Sequence, residues 1–236
     1  MTLRWPAALT LAALLFCASA ELRASDETLL PDLRCTEAYL DLGCIAVDFK
    51  FYHTFHLVNH GQDTIHIDTV TGHCDCTSVR FRDSTVAPGD TARFLMIFNT
   101  ANQYGPIDKD IRIHSTDKKA PVQEIHYLAN VGQWLFKIEP RPVSVFFLPN
   151  QQVKTSVLFN HALDGISVKD VSLDSNYVNI RTIKGEADKG EGLEFELTPG
   201  PGLKPGTHLT NFTVTLNLPQ NAPPHKITIP VKVARY

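Results

Sequence analysis

Residues 101 positions apart match one another along most of this chain. Ile65–Val70 corresponds to Ile166–Val171, Val58-Asn59-His60 to Phe159-Asn160-His161, Val79-Arg80 to Ile180-Arg181, and Gly89-Asp90 to Gly190-Glu191. The same offset pairs Phe94 with Phe195 and Gly105 with Gly206. A register held from residue 58 to residue 206 without a gap predicts two copies of one fold, the first ending near Val131 and the second starting near Ile138. The expected organisation is a signal peptide over 1–20, an amino-terminal linker over 21–34, one domain over 35–132, a link over 133–137 and a second domain over 138–236.

Each copy reads as β-structure. Phe49, Phe51, Phe55 and Leu57 alternate with Lys50, Tyr52, Thr54 and His56, a period of two with one apolar face. Further short strands are expected at Ile65–Val70, Val79–Arg82, Arg93–Asn99, Asp110–His114 and Ile125–Val131. The second copy offers Thr155–Phe159, Ile166–Val171, Val178–Arg181, Leu193–Leu197, Thr210–Leu216 and Ile227–Val233. Asn59-His60-Gly61, Pro88-Gly89-Asp90 and Gly105-Pro106 punctuate the first copy, with Gly61, Gly89 and Gly105 expected at positive φ. No segment has helical periodicity. Short strands at this density predict an all-β chain of two tandem immunoglobulin-like sandwiches.

Met1–Ala20 has the parts of a secretory signal: Arg4, an apolar run from Ala7 to Ala18, and Ala18-Ser19-Ala20 as a cleavage site. The apolar run is shorter than the ~20 residues that span a bilayer, and no later segment resembles a transmembrane helix. A secreted or periplasmic location follows as the expectation. The formal net charge of −3 and the absence of a basic run argue against nucleic acid as a partner. There is no Gly-x-Ser-x-Gly turn and no phosphate-cradling glycine loop, so the chain reads as non-enzymatic.

The chemistry is concentrated in Gly72-His73-Cys74-Asp75-Cys76-Thr77. With Cys35 and Cys44, Cys74 and Cys76 give four cysteines after the signal, a set that permits three complete pairings. On an extended strand Cys74 and Cys76 would have Cα atoms about 6.6–6.8 Å apart, at the far edge of disulfide geometry, so a direct bond requires a kink. Loop-closure entropy ranks that bond lowest, at roughly 1.6 kcal/mol. Tying Cys35 to Cys44 is worth roughly 2.7, and tying Cys44 to either of the adjacent pair roughly 3.5–4. The arithmetic leans toward stapling the amino-terminal segment to the central loop. Structural disulfides without a cofactor are the leading reading. The alternatives are a copper or zinc site made by His73, Cys74 and Cys76, and a thiol-redox pair.

Nearby histidines divide by face. His53 lies with Phe51 and Phe55 and is expected to be a hydrogen-bonded core residue, whereas His56 and His66 fall on polar faces. His60 recurs as His161 without cysteines, which points to a turn role.

Asn59-x-Gly61, an isoleucine strand, Cys74-Asp75-Cys76-Thr77, Pro88-Gly89-Asp90 and Gly105 before a strand together resemble the exported bacterial domain-of-unknown-function family 1573, itself similar to major-sperm-protein-like modules. The family hallmark is Cys-Gly-Cys-Thr followed by Pro-Gly-Glu; this chain has Asp75 and Asp90 in place of the glycine and the glutamate. The resemblance covers roughly Tyr39–Val131; at the corresponding positions of the second copy stand Ser175 and Tyr177. It implies an immunoglobulin-like fold and an exported location, and no activity. The expected role is binding or scaffolding, with an envelope or secreted macromolecule as partner.

Overall fold

The computed structural model describes residues 30–147, 152–220 and 222–235. The expected signal peptide and most of the amino-terminal linker lie outside the described residues. The first half contains β1 (Leu33–Cys35), β2 (Tyr39–Ile45), β3 (Lys50–Asn59), β4 (Ile65–Gly72), β5 (Thr77–Phe81), β6 (Thr85–Val86), β7 (Thr91–Asn99), β8 (Gly105–Ser115) and β9 (Val122–Val131). A 3₁₀ turn at Leu135–Lys137 leads to β10 (Ile138–Pro140), β11 (Val143–Phe147), β12 (Val153–Asn160), β13 (Ile166–Leu173) and β14 (Val178–Lys184). The chain continues with β15 (Glu186–Ala187), β16 (Gly192–Pro199), β17 (Gly206–Asn217) and β18 (His225–Arg235).

These strands form two four-stranded sheets, β1-β3-β7-β5 and β10-β12-β16-β14, and one ten-stranded sheet running through both halves. Each small sheet covers one end of the long sheet, so the architecture is all-β and sandwich-like. Two apolar cores result. Phe51, Phe55, Phe94, Phe98, Ile111 and Tyr127 fill the first; Val157, Phe195, Phe212, Ile227 and Ile229 fill the second. Period-two alternation produces this directly: Phe51, Phe55 and Leu57 point inward from β3 while Lys50 stays exposed.

The two halves share a hydrogen-bonding arrangement at one strand end. Asn59 is fully buried; its amide donates to the Val86 and Asp63 carbonyls and its Oδ1 accepts from Gly61 N. Its counterpart Asn160 donates to the Ala187 and Leu163 carbonyls and accepts from the Ala162 and Leu163 amides. In both copies the side chain replaces backbone pairing at the end of the same strand. Asn59→Ala is expected to cost about 2–3 kcal/mol, because buried carbonyls lose their donor, and urea denaturation will read it.

One sequence expectation changes here. Gly89 and Gly105 have φ of 80° and 84°, but Gly61 is not at positive φ. Gly61 is needed for space instead: a Cβ there would lie 2.8 Å from the Asp32 side chain.

The halves meet along an edge and at a polar contact. On the edge of β18, β11 pairs from Val143↔Val231 to Phe147↔Arg235, and β2 then joins at Ile227↔Gly43. Gly43 has φ of 65°, and a Cβ on it would stand 2.2 Å from the Lys226 carbonyl oxygen, so only glycine permits this approach. Thr228 Oγ1 donates to the Leu42 carbonyl at 2.6 Å beside it.

At the second contact, His53 from the first half sits between two carboxylates. Its Nδ1 is 2.7 Å from Asp174 Oδ1 and its Nε2 is 2.8 Å from Glu37 Oε2. Asn211 donates to the other Asp174 oxygen, and Asn211 Oδ1 accepts from Tyr52 N at 2.7 Å. His53 is thus hydrogen-bonded, as its position among phenylalanines predicts, but it works at the junction and retains 14% side-chain exposure. Burial pulls its pKa down, and Asp174 and then Glu37 more than reverse this, leaving it above the ordinary histidine value.

Candidate functional site

The Gly72–Thr77 stretch forms the tight turn between β4 and β5 at the apex of the first half. Gly72 allows the strand ends to close up, since a Cβ there would lie 2.7 Å from Thr77 Cβ and from the Thr77 carbonyl oxygen. The Thr77 amide donates to the Cys74 carbonyl at 3.0 Å, and Cys74 and Cys76 are joined as a disulfide with Cα atoms 5.2 Å apart. This overturns the entropic lean toward stapling Cys44 to the loop. That ranking treated residues 74–76 as extended, whereas the turn supplies the required kink.

The other two cysteines are elsewhere. Cys35 is half-buried, with its thiol 3.1 Å from the Glu37 carbonyl, and burial pushes its pKa up. Cys44, although on β2, packs into the core of the second half.

Beneath the disulfide lies a pair of hydroxyls. Thr77 Oγ1 is 3.6 Å from Cys74 Sγ and 3.7 Å from Cys76 Sγ. It also hydrogen-bonds the Tyr127 hydroxyl, which belongs to a fully buried side chain on β9. Burial raises the Tyr127 pKa, the Thr77 bond opposes this, and the nearby Asp110 carboxylate adds to it. The phenol therefore keeps its proton and remains a donor at neutral pH. Nothing in the period-two pattern distinguished Tyr127 from an ordinary core aromatic.

Asp110 anchors the side of the turn. Its carbonyl accepts from His73 N at 3.1 Å, its Oδ1 is 3.0 Å from His73 Nδ1, and Arg112 Nε stands 3.4 Å from Oδ2. Arg112 also bonds Glu124 at 2.9 Å. His73 is thus brought to the cysteines, half-exposed, but its Nδ1 faces a carboxylate. With both sulfurs in a disulfide, Cys74 and Cys76 supply no thiolate, so the oxidised turn does not fit a copper or zinc ion. Among the described residues no group of three or more His, Cys, Asp or Glu is arranged to hold a metal.

The second half puts the corresponding turn to use. Residues 101 positions beyond His73 and Asp110 are Asp174 and Asn211, and their backbones pair in the same way, Asp174 N to the Asn211 carbonyl. In the second half this pair grips His53 and the Tyr52 amide of the first half. The corresponding surface of the first half carries the disulfide, with His73 and Asp75 exposed.

The chain is therefore an all-β protein of sandwich-like sheets with a disulfide-closed apical turn. Residues 33–131 match the model of a family described as a protein of unknown function, DUF1573. No curated protein matches the chain. Solved structures similar to it include a protein of unknown function from Porphyromonas gingivalis W83, 12% identical over 86% of this chain and 99% of that one, with a TM-score of 0.37. Another is the seventh PapD-like domain of human CEP192, 7% identical over 44% of this chain and 87% of that one, with a TM-score of 0.35. A third is WR4, a C. elegans member of the MSP family, 10% identical over 44% of this chain and 100% of that one, with a TM-score of 0.32. Among the described residues no helix is long and apolar enough to cross a membrane.

Proposed function

We propose that this chain is an exported, non-enzymatic protein of the bacterial envelope, secreted or periplasmic. In this reading two immunoglobulin-like modules in tandem bind or scaffold another envelope or secreted macromolecule. The observation that carries it is internal to the molecule: the apex that serves the second half as an interface is presented to solvent in the first half, with His73, Asp75, Asp110 and Arg112 around it. A surface already used once for protein contact, on a body whose halves are locked together, suits an adaptor.

A photo-crosslinker placed at Asp75 in cells tests this. A discrete macromolecular adduct is expected from Asp75 and not from Lys169, which is exposed on β13 away from the apex. Absence of any adduct from Asp75 contradicts the apex as the binding surface.

A second reading rests on the paired sulfurs of the partly exposed turn: a thiol centre at Cys74 and Cys76 that binds copper or zinc with His73 once reduced, or that exchanges electrons with other thiols.

A further inference from the structure

We propose that the Cys74–Cys76 disulfide is an exchange centre for protein thiols, and that the Thr77 and Tyr127 hydroxyls stabilise the thiolate released in each exchange. This deepens the redox form of the second reading above and does not depend on the binding reading.

Three observations converge on it. First, the bond does little as a staple. It closes a three-residue loop, for which the chain-entropy gain is small, and the strands it joins are already held, β4 by β8 and β5 by β7. Second, the other half joins the corresponding strands, β13 and β14, by a connection of the same length without it. Ser175 and Tyr177 occupy the cysteine positions in the second copy, where Ser175 Oγ bonds Thr210 at 2.8 Å and Tyr177 packs on His208. Third, the hydroxyl pair accompanies the sulfurs. Val178 and Val231 stand where the second half would need Thr77 and Tyr127, the latter by strand register, since Lys109 pairs with Tyr127 as Thr210 pairs with Val231; the half without the cysteines therefore also lacks this pair.

The step balances without a further reactant. A partner thiolate attacks one sulfur and forms a mixed disulfide, while the other sulfur leaves with the bonding electron pair. The departing thiolate accepts a hydrogen bond from Thr77, whose oxygen accepts in turn from Tyr127. A second partner thiol displaces the first cysteine. Two thiols have then been oxidised to a disulfide, and Cys74 and Cys76 hold the two electrons and the two protons. Both cysteines are only partly buried, so a thiolate can reach them.

The folded protein is equilibrated at neutral pH in reduced and oxidised glutathione at graded ratios, quenched, alkylated and mapped by peptide mass, with circular dichroism recorded in parallel. Reversible reduction of Cys74–Cys76 with the native spectrum retained is expected. A stable glutathione adduct is expected on the remaining cysteine of Cys76→Ser. In the reduced protein the pH midpoint of alkylation should lie below that of an unperturbed thiol. Thr77→Val should raise that midpoint and lower the reduced-to-oxidised ratio at fixed glutathione by about tenfold, the scale of one hydrogen bond to a charged group. Thr77→Ser should restore both, and Tyr127→Phe should move both in the direction of Thr77→Val. Reduction only where the native spectrum is lost overturns the proposal, as does a Thr77→Val protein with an unchanged midpoint and ratio. Neither result bears on crosslinking at Asp75.

Discussion

Gly43→Ala is expected to separate the unfolding of the two halves. Forcing an alanine to φ of 65° costs about 1–2 kcal/mol, and its Cβ would have to clear the Lys226 carbonyl oxygen, 2.2 Å from its ideal position. That oxygen is backbone and cannot rotate aside, so β2 must withdraw from β18. Overpacking of this kind costs about a further 1–3 kcal/mol. The Ile227↔Gly43 bridge and the Thr228 to Leu42 bond are lost together, because both depend on the same close approach. Guanidinium denaturation followed by tyrosine and tryptophan fluorescence should change from one transition to two, with the first shifted to lower denaturant. A single unshifted transition would mean that the junction contributes nothing to folding cooperativity.

The polar contact predicts a pH dependence of definite sign. His53 has a folded pKa above its ordinary value, so its bonds to Asp174 and Glu37 contribute fully below about pH 6.5 and are lost as the pH rises through the folded value. The charged groups facing the ring are Asp174 from the second half and Glu37 from the first, and Asn211 fixes the Asp174 carboxylate. Asp174→Asn keeps the shape and removes the charge. At pH 6 it should cost about 1.5–3 kcal/mol, the usual scale for a hydrogen bond to an ionised partner, and the gap from wild type should narrow above the folded pKa. Stability measured from pH 5 to pH 9 for both proteins checks this. An equal gap across that range would remove His53 from the account.

The all-β character was legible because the longer strands alternate. Long strands with one buried face, such as β3, β7 and β17, show their period, and Asn59 and Asn160 mark the same strand end in both copies. The short strands escaped: β1, β6, β10 and β15 have two or three residues each, too few for an alternation to register. β2 was missed because Gly43 interrupts it and its bulge breaks the pairing with β9 between Asp41 and Cys44.

The site was legible in its address and misread in its bonding. Residue types located the Cys74–Cys76 turn, but ranking the disulfides required its backbone path, which an extended-chain estimate does not supply. Tyr127, fifty positions from Thr77, and Asp174, 121 from His53, become partners only through tertiary contact. No spacing rule links either pair, so the hydroxyls beneath the disulfide and the carboxylate at the junction were visible only in the fold.

The contacts at β18, β2 and His53 are expected to make the chain one body, with the apex of the first half in a fixed relation to the second. Spin labels attached at Arg80 and Lys169, both exposed and on different halves, report that relation through the distance between them. A single narrow distance distribution at pH 6, broadened in Gly43→Ala, is the predicted result. A broad or multiple distribution in the wild-type protein would contradict the claim that β18, β2 and the His53 contact hold the halves together.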